Sequence, residues 1–326
     1  MRLPSRRWGP SNALKLTAAV AIGECMLELS RSGSEWRLRH GGDTFNTALY
    51  LQRLGLPTAY LTALGADPFS EEMRAAWRGE GLDTALVLTD PERLPGLYAI
   101  RTDDAGERSF YYWRQHAAVR GLFSLPGIDA ALMRAANAPL LYFTGITLSL
   151  FSEADRARLL ELAHDVRRRG GTVAFDVNYR AAGWPDAGTA RLAIQRIAPA
   201  VSWALPTFED SALLFDHQSP HDTVAQWRRF GAEEVIVKLG ARGCLVANAQ
   251  QAELFPAPSV DVVVDTTGAG DAFNAGYLAA RAAGLAPGRA AATAQILACE
   301  VIQQPGAIVP LECMSRIQSR MFDASC

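Results

Sequence analysis

The stretch "VDTTGAGDAFNAG", residues 264–276, sets two threonines, two glycines and an aspartate between an apolar run and a helical pattern. "DVVVD" (261–265) predicts a strand, and "AFNAGYLAARAAG" (272–284) has helical spacing, with Phe273, Tyr277 and Ala280 on one side. The turn between them presents free backbone N–H groups at a helix N-terminus, where an anion is favoured. Its small residues let a phosphate come close to the backbone. Asp271 falls in the first helical turn, where an isolated aspartate is most often a cap. Two nucleotide motifs are excluded: the run lacks the third glycine of G-x-G-x-x-G, and no G-K-[ST] closes it. A carboxylate beside a nest of N–H groups suits phosphoryl transfer to a hydroxyl. The aspartate takes the proton while the N–H groups stabilise the moving charge.

The rest of the chain supplies a scaffold for such a turn. "AAVAIG" (18–23), "AYLTALG" (59–65), "LLYFTG" (140–145), "TVAFDVN" (172–178), "VSWALP" (201–206) and "EVIVKLG" (234–240) read as strands buried on both faces. Helical patterns alternate with them, as in "SEADRARLLELAHDVRRRGG" (152–171), with Ser152 as N-cap and Gly170–Gly171 as the stop. This predicts an α/β fold: a mostly parallel central sheet between two helical layers. Segments 25–42 and 94–116 instead alternate polar and apolar residues around turn signals at Ser32-Gly33 and 103–106, and predict a small β-strand lid. One domain is expected over residues 17–312, with an irregular N-terminal tail at 1–16 and a C-terminal tail at 313–326.

Composition narrows the function classes. Lys+Arg 32 against Asp+Glu 34 leaves a net charge of -2, which argues against a nucleic-acid or membrane-surface partner. Five scattered cysteines without C-x-x-C argue against a disulfide framework or zinc knuckle. No signal peptide or membrane span is read, so a cytoplasmic location is expected. His217 and His221 stand four apart, but Ser219 and Pro220 between them argue against a helical metal pair.

"DTTGAGDAFNAG" resembles the C-terminal signature of the ribokinase-like (PfkB) family of carbohydrate kinases. The resemblance implies a ribokinase-like three-layer α/β/α fold, ATP and Mg2+ as cofactors, Asp271 as catalytic base, and Gly268, Ala269 and Gly270 as the anion hole. It also implies a monovalent cation such as K+ near Asp265 and Thr267. "GGDTFNTALYLQRLG" (41–55) fits the same family, with Gly41 and Gly42 before an amphipathic helix and Asn46 one turn in; "TALGADPFSEEM" (62–73) does too. Asn178, Lys238, Gly240 and Gly243 match the nucleotide side, together with Gly268 and Gly270. The family often has N-x-x-E where this chain reads Thr207-Phe208-Glu209-Asp210, leaving Asp210 to hold Mg2+ through water.

The lid points to the acceptor. A strand through "RSFYYWRQH" puts Phe110, Tyr112 and Arg114 on one face, and Arg180 follows another strand at its C-terminal end. Two arginines with a tyrosine suit a sugar carboxylate better than a neutral sugar. "IGECMLELS" (22–30), "RLPGLYAIRTDDAGERSFYYWR" (93–114) and "FDVNYR" (175–180) resemble the members of the family that phosphorylate 2-keto-3-deoxygluconate. That implies acceptor contacts from Gly41, Gly42, Asn46, Tyr98, Tyr112, Arg114 and Arg180, alongside Asp271. The competing readings are a kinase of this fold for fructose or a nucleoside, and a non-catalytic sugar-acid sensor. Exposed lid edges further suggest a homodimer through the lid.

Overall fold

The computed structural model describes residues 18–32, 35–102 and 108–323. The N-terminal tail, Gly33 and the turn at 103–106 lie outside them. Nine strands form the main sheet: β1 (Ala19–Ile22), β4 (Thr58–Gly65), β5 (Val87–Asp90), β8 (Leu140–Thr144), β9 (Thr172–Asp176), β10 (Trp203–Ala204), β11 (Glu234–Lys238), β12 (Cys244–Ala247) and β13 (Ala252–Phe255). Four more form the lid: β2 (Met26–Ser32), β3 (Glu35–Gly41), β6 (Leu97–Thr102) and β7 (Arg108–Trp113). The helices are α1 (Asp43–Arg53), α2 (Pro68–Gly79), α3 (Ile128–Ala135), α4 (Gly145–Leu150), α5 (Glu153–Arg168), α6 (Ala187–Ile197), α7 (Phe208–Phe215), α8 (Pro220–Phe230), α9 (Ala269–Ala282), α10 (Pro287–Val301) and α11 (Met314–Asp323).

The main sheet runs β13-β12-β11-β10-β9-β8-β1-β4-β5, parallel except for β12 and β13 at one edge. Every residue of β1 is buried, because helices cover both faces. Neighbours on one strand serve opposite cores: Tyr142 packs with Phe45, Tyr277 and Leu297 on the α1/α9/α10 side, and Phe143 with Phe175, Leu159 and Trp227 on the other. Local signals start and stop the helices as expected. Ser152 Oγ accepts from Asp155 N ahead of α5, and Gly170 follows the helix at φ 82°. Ser219 likewise caps α8, which Pro220 opens, so His217 lies outside the helix that holds His221.

Two expectations are corrected. Residues 261–265 form no strand; Val262, Val263 and Val264 are exposed, and the N–H groups of Val264 and Asp265 donate to Ile302 O. The β12–β13 hairpin already occupies that sheet edge. Nor are residues 313–323 a tail. Met314, Ile317 and Met321 of α11 are buried at helical spacing, and Arg316 and Arg320 pair with buried Glu300.

The lid sheet has the order β3-β2-β6-β7. Cross-strand register puts Arg39, Glu28, Tyr98 and Tyr112 in one row on one face. Trp36, Leu38, Tyr111 and Trp113 share the opposite face and are exposed.

Candidate active site

After β1 the chain builds the sheet outward through β4 and β5, then resumes with β8 on the other side of β1. At such a reversal the helices leave on opposite faces and open a crevice beyond the strand C-termini. Asp43 opens α1 and Thr144 ends β8; the Thr144 hydroxyl donates to Asp43 Oδ2 across 2.5 Å and closes the crevice floor. Asp176 ends β9, Lys238 ends β11, and Asp271 projects from the first turn of α9.

The signature turn has the form its residues demand. Gly268 precedes α9 at φ 75°, and a side chain there would meet Ala307 Cβ at 2.5 Å. At Gly270 an added Cβ would lie 3.8 Å from Lys238 Nζ, so the ammonium faces the turn. Lys238 is itself buried, 2.5 Å from Asp176 Oδ2 and 3.0 Å from Asn274 Oδ1. The Asn274 amide donates to Asp176 Oδ2 (2.7 Å) and to Tyr142 Oη (3.0 Å).

Three carboxylates, Asp43, Asp176 and Asp271, thus share a buried site with one lysine. Desolvation, with Asp43 and Asp176 adding repulsion, pushes the Asp271 carboxyl up to about 8, against a hydrogen bond from Asn46 and the charge of Lys238. Burial also raises Asp43, although Thr144 and the backbone of Thr44 donate to it. An acid tuned this close to neutrality is fitted to take a proton from a hydroxyl. Asn46 Nδ2 lies 2.8 Å from Asp271 Oδ2.

Gly42 sits where a side chain would meet Glu24 O at 2.2 Å, and Gly41 where one would meet Tyr98 Oη at 3.1 Å. Both glycines therefore serve close packing beside Asn46. A cavity of 490 Å3 opens there, bordered by Glu28, Arg39, Gly41, Asn46, Trp77 and Gly306. The Tyr98 hydroxyl donates to Glu28, and its ring lies 5.9 Å from that of Tyr112, which remains half exposed. Arg114 Nη2 lies 2.6 Å from Glu24 Oε2, deep under the lid. Neither is satisfied by a well-aligned bond: Nε and Nη2 of Arg114 and both Glu24 oxygens keep capacity for a ligand. Arg180, largely exposed, pairs with Asp210 at 3.2 Å. Arg114 Cζ lies 6.0 Å from the centre of the Tyr112 ring; burial pushes the Tyr112 phenol up, with the charges of Arg114 and Arg180 opposing.

The nucleotide-side residues divide. Lys238 and Asp210 stand at the crevice; burial raises the Asp210 carboxyl, with Arg180 and Lys238 opposing and Asp176 reinforcing. Asn178, at φ 31°, turns its amide to Asp43 Oδ2 at 3.0 Å. Gly243 has a structural reason: at φ 94° an added Cβ would fall 2.0 Å from Phe255 O. Gly240, at φ 58°, opens the turn after β11 with space around it. Asp265 accepts from Thr267 N (2.9 Å) and Gly306 N (2.7 Å), bracing the signature turn against the loop after α10. Asp43, Asp176, Asn274 and Glu24 were missed by sequence reasoning. The signals available were an acid directly after Gly41-Gly42, acids at two strand ends, and an asparagine inside an otherwise apolar helix face.

The family model of the pfkB family carbohydrate kinases matches residues 16–313. The chain belongs to that family. It is 42% identical over 303 residues to the 2-dehydro-3-deoxygluconokinase of Escherichia coli (strain K12), covering 90% of this chain and 98% of that one. The enzyme of the same name from Dickeya dadantii (strain 3937) is 41% identical over 301 residues, covering 90% and 97%. Among solved structures, the E. coli chain named ribokinase II, in complex with ATP and Mg2+, superposes with a TM-score of 0.80 at 22% identity, covering 94% of this carbohydrate kinase and 100% of that chain. The ribokinase-like three-layer fold with its lid is thereby established. No described helix is long and apolar enough to cross a membrane.

Proposed function

We propose that this kinase moves the γ-phosphoryl group of ATP to the terminal hydroxyl of 2-keto-3-deoxygluconate, giving the 6-phosphate, in sugar-acid catabolism. The name shared by relatives more than 40% identical over nearly the whole chain supports the acceptor. The observation that carries the chemistry is Asp271: a buried carboxyl, tuned to about 8, in the first turn of α9, with the Lys238 ammonium facing that turn at Gly270. Asp271 takes the hydroxyl proton. Gly268, Ala269 and Gly270 form the anion hole, with the N–H groups of Gly268 and Gly270 offered to the transferring phosphoryl, that of Ala269 bonded to Thr266 O at 3.2 Å, and Lys238 adding a positive charge. Tyr98 and Tyr112 bound the acceptor under the lid, while Arg114 and Arg180 receive its carboxylate. Gly41 leaves room for it beside Asn46, while Gly42 lets the chain close on the Glu24 backbone and presents its own backbone to the acceptor. On the nucleotide side stand Asn178, Gly240 and Gly243.

Asp210 faces Asp176 and Lys238 and would hold Mg2+ through water; the ion, when bound, neutralises phosphate charge. Asp265 and Thr267 would hold a monovalent cation such as K+, beside the signature turn that the Asp265 carboxylate braces. The exposed lid face of Trp36, Leu38, Tyr111 and Trp113 would pair with the lid of a second copy, making a homodimer. Sedimentation should find a dimer, and Trp113→Lys should weaken it; a wild-type monomer at working concentration would overturn that assignment.

An ADP-release assay across sugar acids and neutral sugars tests the acceptor. Arg114→Ala and Arg180→Ala are each expected to lower kcat/KM for the keto-acid by about 10- to 100-fold, the worth of a hydrogen bond between charged groups. Arg114 should cost more, because its loss also strands buried Glu24. Strong turnover of fructose with none of the keto-acid would sink the assignment.

A further inference from the structure

Asn46 stands on α1 with its amide N–H on Asp271 Oδ2 and its own Oδ1 buried without a hydrogen-bond partner. The NH2 end of the amide is seated on Asp271 Oδ2 at 2.8 Å, a donor placed against the ionised form of the acid, the form that takes up a proton. Oδ1 therefore points the other way, toward the space left by Gly41, where an added Cβ would lie 3.7 Å from it. A buried amide oxygen with no partner is costly unless something polar reaches it. The Thr47 hydroxyl also reaches this end of α9, its single proton lying between Asp43 O at 3.1 Å and Asp271 O at 3.3 Å. The start of α1 thus holds one carboxylate oxygen of Asp271 and packs a hydroxyl against its backbone.

We infer that Asn46 is the positioning residue of the base: its N–H occupies Oδ2, so the proton taken from the acceptor is carried on Oδ1, while its own carbonyl accepts a neighbouring hydroxyl of the same acceptor. The inference rests on the reading of Asp271 as base and extends it to which oxygen works. In the step, the acceptor O–H breaks and its proton goes to Asp271 Oδ1. The oxygen's electron pair forms the new bond to the γ-phosphorus of ATP, and the bond to the bridging oxygen breaks, leaving ADP with that pair. Asn46 forms no covalent bond. Asp43 and Tyr50 of α1, Tyr142 of β8, Asp176 of β9 and Lys238 of β11 also face Asp271. Asn46 and Lys238 are the groups that favour its charged form.

The test is kcat against pH at saturating ATP and acceptor for wild type, Asn46→Leu and Asn46→Asp, with Asp271→Asn alongside. With Asn46→Leu the acid limb should move up by about one to two pH units, the worth of one hydrogen bond to a carboxylate. The rate should fall tenfold or more near pH 7 and recover on the alkaline side. Asn46→Asp is close to isosteric and keeps the fold in reach; it sets a like charge beside Asp271 and should move the limb in the same direction. An unmoved limb in both, with equal loss at every pH or a rise in KM alone, would reduce Asn46 to an acceptor contact. Wild-type turnover in Asp271→Asn would instead overturn the base itself.

Discussion

Replacing Asp271 with asparagine is expected to cut phosphoryl transfer by about 10²- to 10⁴-fold, the range general-base catalysis supplies, and to stabilise the protein. Both effects follow from burial among Asp43 and Asp176, which pushes the carboxyl up to about 8. An unfolded aspartate titrates near 3.9. Between these values the folded state holds a proton that the unfolded chain releases, so stability falls as pH rises through that window. Below it both states are protonated and the penalty vanishes; above about 8 the penalty is complete. Asparagine carries no such charge, and its amide oxygen can still accept from Asn46. Thermal melts from pH 5 to 9 should therefore show a gap between variant and wild type that widens toward 8 and then levels, reaching a few kcal/mol. A variant that melts no higher than wild type at pH 8 would mean that the carboxyl is not held against its charge. For wild type, kcat/KM should rise through about pH 8, since only the ionised form accepts a proton.

What could be read along the chain was whatever depends on a residue and its near neighbours. The parallel strands are legible because burial on both faces makes them continuous apolar runs, as in Ala19–Ile22 and Leu140–Thr144. The turn at Gly268–Gly270 is legible because left-handed backbone and close approach both demand small residues. Pairing across the chain is another matter. "DVVVD" has strand chemistry throughout, yet whether it joins a sheet depends on the β12–β13 hairpin, which takes the edge first. The last helix carried its Met314–Ile317–Met321 stripe in plain view, but that stripe acquires meaning only from the surface of α10 and from Glu300. In the site, Asn46 and Asp271 are 225 positions apart, and no local rule joins them. Asp43 and Asp176 look like a helix start and a strand end, which they are. Their electrostatic role exists only where the sheet reverses and brings three acids to one lysine.

That lysine supports the second large expectation. Lys238→Met should be the substitution in the crevice most damaging to folding, by about 3–5 kcal/mol, because it removes one partner of a buried pair and leaves the other charged. Asp176 Oδ2 has Lys238 Nζ at 2.5 Å and the Asn274 amide at 2.7 Å, and Oδ1 accepts from Asn178 N at 3.2 Å; without the ammonium, two neutral donors must support a buried carboxylate beside two further acids. Asp271, deprived of the cation that opposes its neighbours, should be held higher still. Urea denaturation of Lys238→Met, Asp176→Asn and the double variant separates the contributions. If the cost is the stranded charge, the double variant should be more stable than Lys238→Met alone, a non-additivity of more than 1 kcal/mol. Additive losses would mean that the lysine contributes packing rather than charge. Activity should not return in the double variant even where stability does, because the ammonium beside Gly270 is still missing from the place where the transferring phosphoryl needs it. Recovery of turnover with recovery of fold would show that Lys238 serves only the structure, and that the N–H groups of the turn receive the phosphate without it.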